Sequence, residues 1–153
     1  MNPNKLVLFD VDGTLIDSQH MIVAAMTAAF TAEGIAVPDR AAILSIIGLS
    51  LVEAMRVLGS HAAGFPAEAL AERYRAAFRE LRLAGEHEEP LFPGASEAIA
   101  RLFARDDLLL GLATGKSMRG VRAMLAMHGL EGRFLTIQTA DGNPSKPDPA
   151  MVN

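Results

Sequence analysis

The chain has 153 residues, 50% of them hydrophobic and 21% charged, with a formal net charge of -4. That length holds one compact domain or a small domain carrying an insertion, and the acidic balance excludes the basic stripe that a nucleic-acid surface needs. The absence of cysteine excludes a disulfide framework, a thiolate zinc site and a cysteine nucleophile. Only four apolar residues follow Lys5 before Asp10, and the alanine-rich stretch 21–30 is too short to span a bilayer. The expectation is a cytoplasmic protein without membrane or nucleic-acid partners.

The first element is an apolar run, residues 6–9, with no polar alternation, which predicts a strand buried on both faces as in parallel sheets. It stops at Asp10 and Asp12, and Gly13 and Thr14 then turn the chain. The next 70 or so residues read as helix, far longer than an ordinary strand-to-helix connection. Ser18 is placed to cap a helix through Met21, Ile22, Ala25, Met26, Ala29 and Phe30, closed by Gly34. A second helix is expected from Asp39 to Gly48. Ser50-Leu51-Val52-Glu53 reads as a capping box for a third that ends near Gly59. Pro66 suits the first turn of a fourth, reaching about Leu83.

Pro90-Leu91-Phe92-Pro93-Gly94 breaks the helical pattern. Beyond it come a helix at 96–103, a strand at 108–112, a helix at 117–128 and a third strand at 134–137. Strand, helix, strand, helix, strand is the pattern of a parallel sheet with right-handed crossovers.

Each strand is expected to end in a different polar group, at the edge where such sheets bind ligands. The first ends in two carboxylates whose mutual repulsion needs a cation or a shared proton, although Asp-x-Asp-Gly alone also suits a plain turn. The second ends at Thr114, where the amides of Gly115 and Lys116 open a helix and offer donors to an anion; a simple helix cap is the rival reading. The third leads to Lys146, stiffened by Pro147. A loop lysine is usually solvated, but of the three lysines, Lys5, Lys116 and Lys146, two fall at these strand ends. The histidines 20, 61, 87 and 128 lack metal-ligand spacing and are expected in solvated or capping roles. The arginines 73, 75, 79 and 82 are expected to form a solvated helix face.

Asp10-Val11-Asp12-Gly13-Thr14, then Leu112-Ala113-Thr114-Gly115, then Lys146-Pro147 resemble the first three motifs of the haloacid dehalogenase-like hydrolases. The helical insertion resembles that superfamily's cap. Gly48-Leu49-Ser50 and Phe92-Pro93-Gly94 are similar to its phosphoglycolate phosphatase-like branch. The resemblance implies an α/β fold: a Rossmann-like parallel-sheet core from residues 1–17 and 90–153, with an inserted all-helical cap at 18–89. It implies that Asp10 is a nucleophile forming an aspartyl-phosphate and that Asp12 is the general acid and base. Asp10 and the Asp12 carbonyl would hold a magnesium ion (Mg2+), and Thr114 and Lys146 would bind phosphoryl oxygens. Gly13, Thr14 and Gly115 fall in the same phosphate-binding motifs. The implied partner is a small phosphorylated metabolite, phosphoglycolate by default.

Within the family, the second acid, Asp12, favours phosphoryl transfer over carbon–halogen cleavage. The lack of any lysine between Lys5 and Lys116 excludes a Schiff base in the cap. The family's fourth motif, which completes the magnesium site, has no counterpart before Asn153, since Asp141 and Asp148 fall too early. The core is therefore expected to lack its C-terminal part and to leave the first strand with an open edge. A catalytically inactive fragment that at most binds phosphate or a partner is the alternative expectation, and a phosphomutase a further one. A receiver-type signalling domain is disfavoured by the long insertion.

Overall fold

The computed structural model describes residues 5–85 and 87–153. Three parallel strands, β1 (Lys5–Phe9), β2 (Leu108–Ala113) and β3 (Thr136–Gln138), lie side by side in that order. β1 pairs with β2 from Lys5↔Leu108 to Phe9↔Leu112, and β2 pairs with β3 from Gly111↔Thr136 to Ala113↔Gln138. The register brings the carboxyl ends of all three strands to one edge. Helices α5 (Ala95–Phe103) and α6 (Met118–Met127) flank the sheet. Val11, Ile16, Ile99, Leu112, Val121 and Met124 are almost fully buried in the cluster between them.

β1 differs from the strand buried on both faces that its apolar run predicts. Leu6 is 50% exposed, and Val7, Leu8 and Phe9 are only partly buried. The reason is position: among the described residues β1 pairs only with β2, so one side of its ladder is open. β2, paired on both sides, is the strand whose interior is buried.

Four helices follow β1: α1 (Gln19–Ala32), α2 (Arg40–Ser45), α3 (Leu51–Leu58) and α4 (Ala67–Ala84). α1 packs chiefly on α4, and α3 also leans on α4. They enclose a second cluster, in which Met26, Phe30, Ile43, Met55 and Leu70 are almost wholly removed from water. Burying each such side chain stabilises the bundle by about 1.5–3 kcal/mol before entropy is counted.

The helix starts reveal where local rules yield to tertiary contacts. Asp39 and Ser117, where helices are expected to start, cap them by accepting from Ala42 N–H and Gly120 N–H. Ser18 does not; its hydroxyl donates to Asp12 instead. The Ser50–Glu53 capping box does not form either. The Ser50 N–H that Glu53 would satisfy donates to Ser145 Oγ at 2.9 Å, from a loop 95 residues away.

Candidate active site

β1 ends at Asp10, whose Oδ1 accepts the Val11 N–H at 2.8 Å and lies 3.1 Å from Lys146 Nζ. Lys146 also donates to the Ala113 carbonyl at 2.9 Å, so the ammonium is strung between the ends of β1 and β2. It is a fixed partner of Asp10 and not the solvated loop lysine that a loop position suggests. Thr114 is 1% exposed; its N–H donates to Gln138 O at 3.0 Å, which ties the ends of β2 and β3 together. Its hydroxyl oxygen accepts the Lys116 N–H at 3.1 Å. That amide is therefore occupied within the turn, whereas among the described residues no acceptor is hydrogen-bonded to the Gly115 N–H.

Gly13 and Thr14 contribute less than their motif suggests. Both are exposed, and their amides are spent inside the turn, on Ile16 O and Val11 O. The Asp12 carbonyl, by contrast, accepts no backbone hydrogen bond from a described residue. An open carbonyl next to the Asp10 carboxylate is a set of hard oxygen donors suited to magnesium, which is commonly held by one or two carboxylates plus waters and phosphate oxygens. Among the described residues no group of three or more metal-type side chains gathers anywhere. The fit to magnesium thus rests on Asp10 and the Asp12 carbonyl.

The Asp12 carboxylate has partners of its own. Ser18 donates to its Oδ1 at 2.7 Å, and Lys116 Nζ lies 2.9 Å from Oδ1 and 3.2 Å from Oδ2. Lys116 also stands 3.9 Å from Glu89 Oε1 and 5.3 Å from the centre of the Phe78 ring. Glu89 is buried, with its Oε2 accepting from Arg82 Nε at 2.9 Å while its Oε1 has no hydrogen-bond partner. Arg82 stacks over Phe78 at 5.0 Å. Arg82 therefore leaves the solvated face that its helix pattern predicts, because a buried carboxylate draws it inward. Arg73 and Arg75 do make exposed pairs, with Glu33 and Glu72. His128 takes a capping position, as expected: half-buried, it closes α6 at its C-terminus, with its Nε2 2.9 Å from the Glu89 carbonyl.

A cleft of about 730 Å³ lies between the helices and the sheet edge, lined among others by Asp12, Tyr74, Phe78, Arg79, Lys116 and Arg119. Burial, with the negative charges of Asp12 and Glu89 adding to it, holds the Tyr74 phenol well above its ordinary pKa, against the opposing charge of Arg82. It is therefore a neutral hydroxyl across the working range. The loop Gly48-Leu49-Ser50 closes on the strand ends: a Cβ on Gly115 would lie 2.4 Å from Leu49 O and 2.5 Å from Gly48 O. Only glycine permits that approach.

Lys116 as a side chain, Glu89, Tyr74 and Ser145 escaped the sequence reading. Lys116 alone carried a signal, as one of two lysines at strand ends. The others are joined to the site by long-range contacts that no local spacing encodes.

Residues 7–153 match the haloacid dehalogenase-like hydrolase family, and the chain belongs to that family. It is 34% identical over 149 residues to the "Probable phosphatase IndB" of Dickeya dadantii, covering 95% of this chain and 64% of that protein. It is likewise 34% identical over 148 residues to a phosphoglycolate phosphatase of Cereibacter sphaeroides, covering 95% and 67%. A hydrolase structure from Pseudomonas syringae superposes with a TM-score of 0.79 at 29% identity, over 96% of this chain and 66% of that one. The chain thus spans about two thirds of the length of these relatives. Both the α/β Rossmann-like fold and the phosphoglycolate phosphatase-like branch of the family are in accord with the expectations from sequence. No helix among the described residues is long and apolar enough to cross a membrane.

Proposed function

We propose that the protein is a magnesium-dependent phosphatase that hydrolyses a small phosphorylated metabolite through an aspartyl-phosphate (acyl phosphate) intermediate on Asp10. The observation that carries this reading is the 3.1 Å approach of Lys146 to Asp10 beside buried Thr114, at the carboxyl ends of β1 and β2. A carboxylate can approach an anionic phosphate only where cations and donors converge. Lys146, the Thr114 hydroxyl and the Gly115 amide, which has no acceptor among the described residues, supply that convergence. The relatives named as phosphatases support the same class of reaction.

In the first step the Asp10 carboxylate attacks phosphorus and the bond from phosphorus to the ester oxygen breaks. Asp12 gives its proton to that oxygen as the alcohol leaves. In the second step Asp12 takes a proton from water as the water oxygen bonds to phosphorus. The bond from Asp10 to phosphorus breaks, and inorganic phosphate is released. Asp10 and the Asp12 carbonyl would hold the magnesium ion, which supplies positive charge against the incoming phosphate. The helical segment 18–89 would act as a cap that excludes water and contacts the leaving group.

Activity is tested with p-nitrophenyl phosphate and magnesium, comparing the chain with its Asp10→Asn variant. The expected result is turnover that needs magnesium and falls by at least about a thousandfold in the variant. Substantial residual turnover in Asp10→Asn would remove the nucleophile from this account.

A further inference from the structure

The cleft is larger than a small leaving group needs, and its size does not come from a raised cap. Ser50 N–H donates to Ser145 Oγ at 2.9 Å, and a Cβ on Gly115 would lie 2.4 Å from Leu49 O, so loop 48–50 already rests on the strand ends. Even so, about 730 Å³ stays open beside Asp12. That lies within the range of roughly 300–1,000 Å³ in which pockets bury drug-sized molecules. A two-carbon alcohol would leave most of it to water.

The lining divides by chemistry. Asp12 and Lys116 stand at the strand ends, and Arg82 is turned to Glu89. The other charged residues of the lining, Glu72, Arg75, Arg79, Arg119 and Asp141, are all exposed, which puts them at the rim. The interior is left chiefly to Ile47, Leu49, Leu51, Val52, Tyr74 and Phe78. These six pack on the helical cluster from one side, are only half-buried, and present their other side to the cleft. The Tyr74 and Phe78 rings lie 5.6 Å apart and make one aromatic wall. The apolar surface also reaches Asp10 itself. A Cβ on Gly48 would lie 4.0 Å from Asp10 Oδ2, and one on Gly13 would lie 4.0 Å from Ile47 Cγ2.

We infer that the natural substrates are phosphate monoesters of an alcohol with a bulky apolar body, aromatic or branched, which lies against Ile47, Val52 and Phe78 while its phosphate meets Asp10. Covering a half-buried apolar wall is favourable in proportion to the area removed from water. A carboxylate or sugar hydroxyl placed there would lose its water and gain no partner from Ile47, Leu49, Leu51 or Val52. This substrate class differs from the two-carbon acid that resemblance alone sets as the default.

The inference rests on the reading of the site as a phosphatase, and its test separates the two. Titration calorimetry with magnesium compares (1-naphthylmethyl)phosphonate with ethylphosphonate, neither of which can be hydrolysed. The naphthyl compound is expected to bind at least about tenfold more tightly, and both Ile47→Asn and Val52→Thr should lower that ratio. Val52→Thr keeps the side chain's outline and adds a hydroxyl, so its effect is not one of lost folding. A ratio near one, tighter binding of ethylphosphonate, no binding of either, or a preference that survives both variants would overturn the inference. Turnover of 1-naphthyl phosphate and ethyl phosphate by the unaltered chain is measured alongside. A naphthyl preference that both variants lower, in a chain that hydrolyses neither ester, supports the apolar site and overturns the phosphatase reading. Hydrolysis of ethyl phosphate with equal affinities for the two phosphonates does the reverse.

Discussion

Tyr74 shows how much of the site is set by single side chains out of their ordinary environment. It is the only tyrosine, and the chain has no tryptophan, so its ionisation can be followed by ultraviolet difference absorbance. Burial first, then the nearby charges of Asp12 and Glu89, raise its folded pKa above that of an unfolded chain. A raised pKa means that the folded state holds the proton more tightly. The stabilisation is complete below about pH 10, the unfolded value, and is lost as pH climbs through the folded one. Two outcomes are expected: tyrosinate forms only well above about pH 10, and denaturant stability falls with pH in that range less steeply in Tyr74→Phe. A phenol titrating at its ordinary value would show that the hydroxyl is solvated and that the cleft is wetter than described.

At the scale of elements, much was legible because it was local. Apolar runs marked β1 and β2, Asp39 and Ser117 marked two helix starts, and the polar residues after each strand marked Asp10, Asp12, Thr114 and Lys146. The failures share a physical cause. Ser18 and Ser50 look like caps, but their hydrogen bonds go to Asp12 and Ser145 because the tertiary fold offers better partners. Arg82 looks like the rest of a charged helix face, and only the fold reveals the buried carboxylate that it meets. Glu89 lies just before the chain re-enters the sheet domain, where nothing in the surrounding sequence distinguishes it from Glu88. Gly48-Leu49-Ser50 is legible in the sequence only as a resemblance, with no contact to the strand ends implied, yet that contact has a sharp steric requirement at Gly115. Gly115→Ala is expected to cost about 1–3 kcal/mol by forcing backbone apart and to raise the KM of the proposed phosphatase reaction as the loop lifts. Unchanged unfolding and kinetics would mean that the loop yields freely and does not define the cleft.

At the scale of the molecule, two hydrophobic clusters, one helical and one around the sheet, are joined across a cleft by a chain of charges. Asp12 and Lys116 belong to the sheet side, Arg82 to the helices, and Glu89 to the connection between them. Movement of the helices over the sheet would therefore act directly on the Asp12–Lys116 pair. The open ladder of β1 puts Asp10, the proposed nucleophile, at the end of an edge strand in the described residues. In the proposed reaction Asp10 becomes phosphorylated during turnover. The direct measurement is rapid quenching during hydrolysis of a radiolabelled phosphate ester, followed by borohydride reduction and peptide mapping. The account predicts label on the wild-type chain, reduction at Asp10, and no label in Asp10→Asn. Turnover without covalent label, or label on a residue other than Asp10, would contradict it.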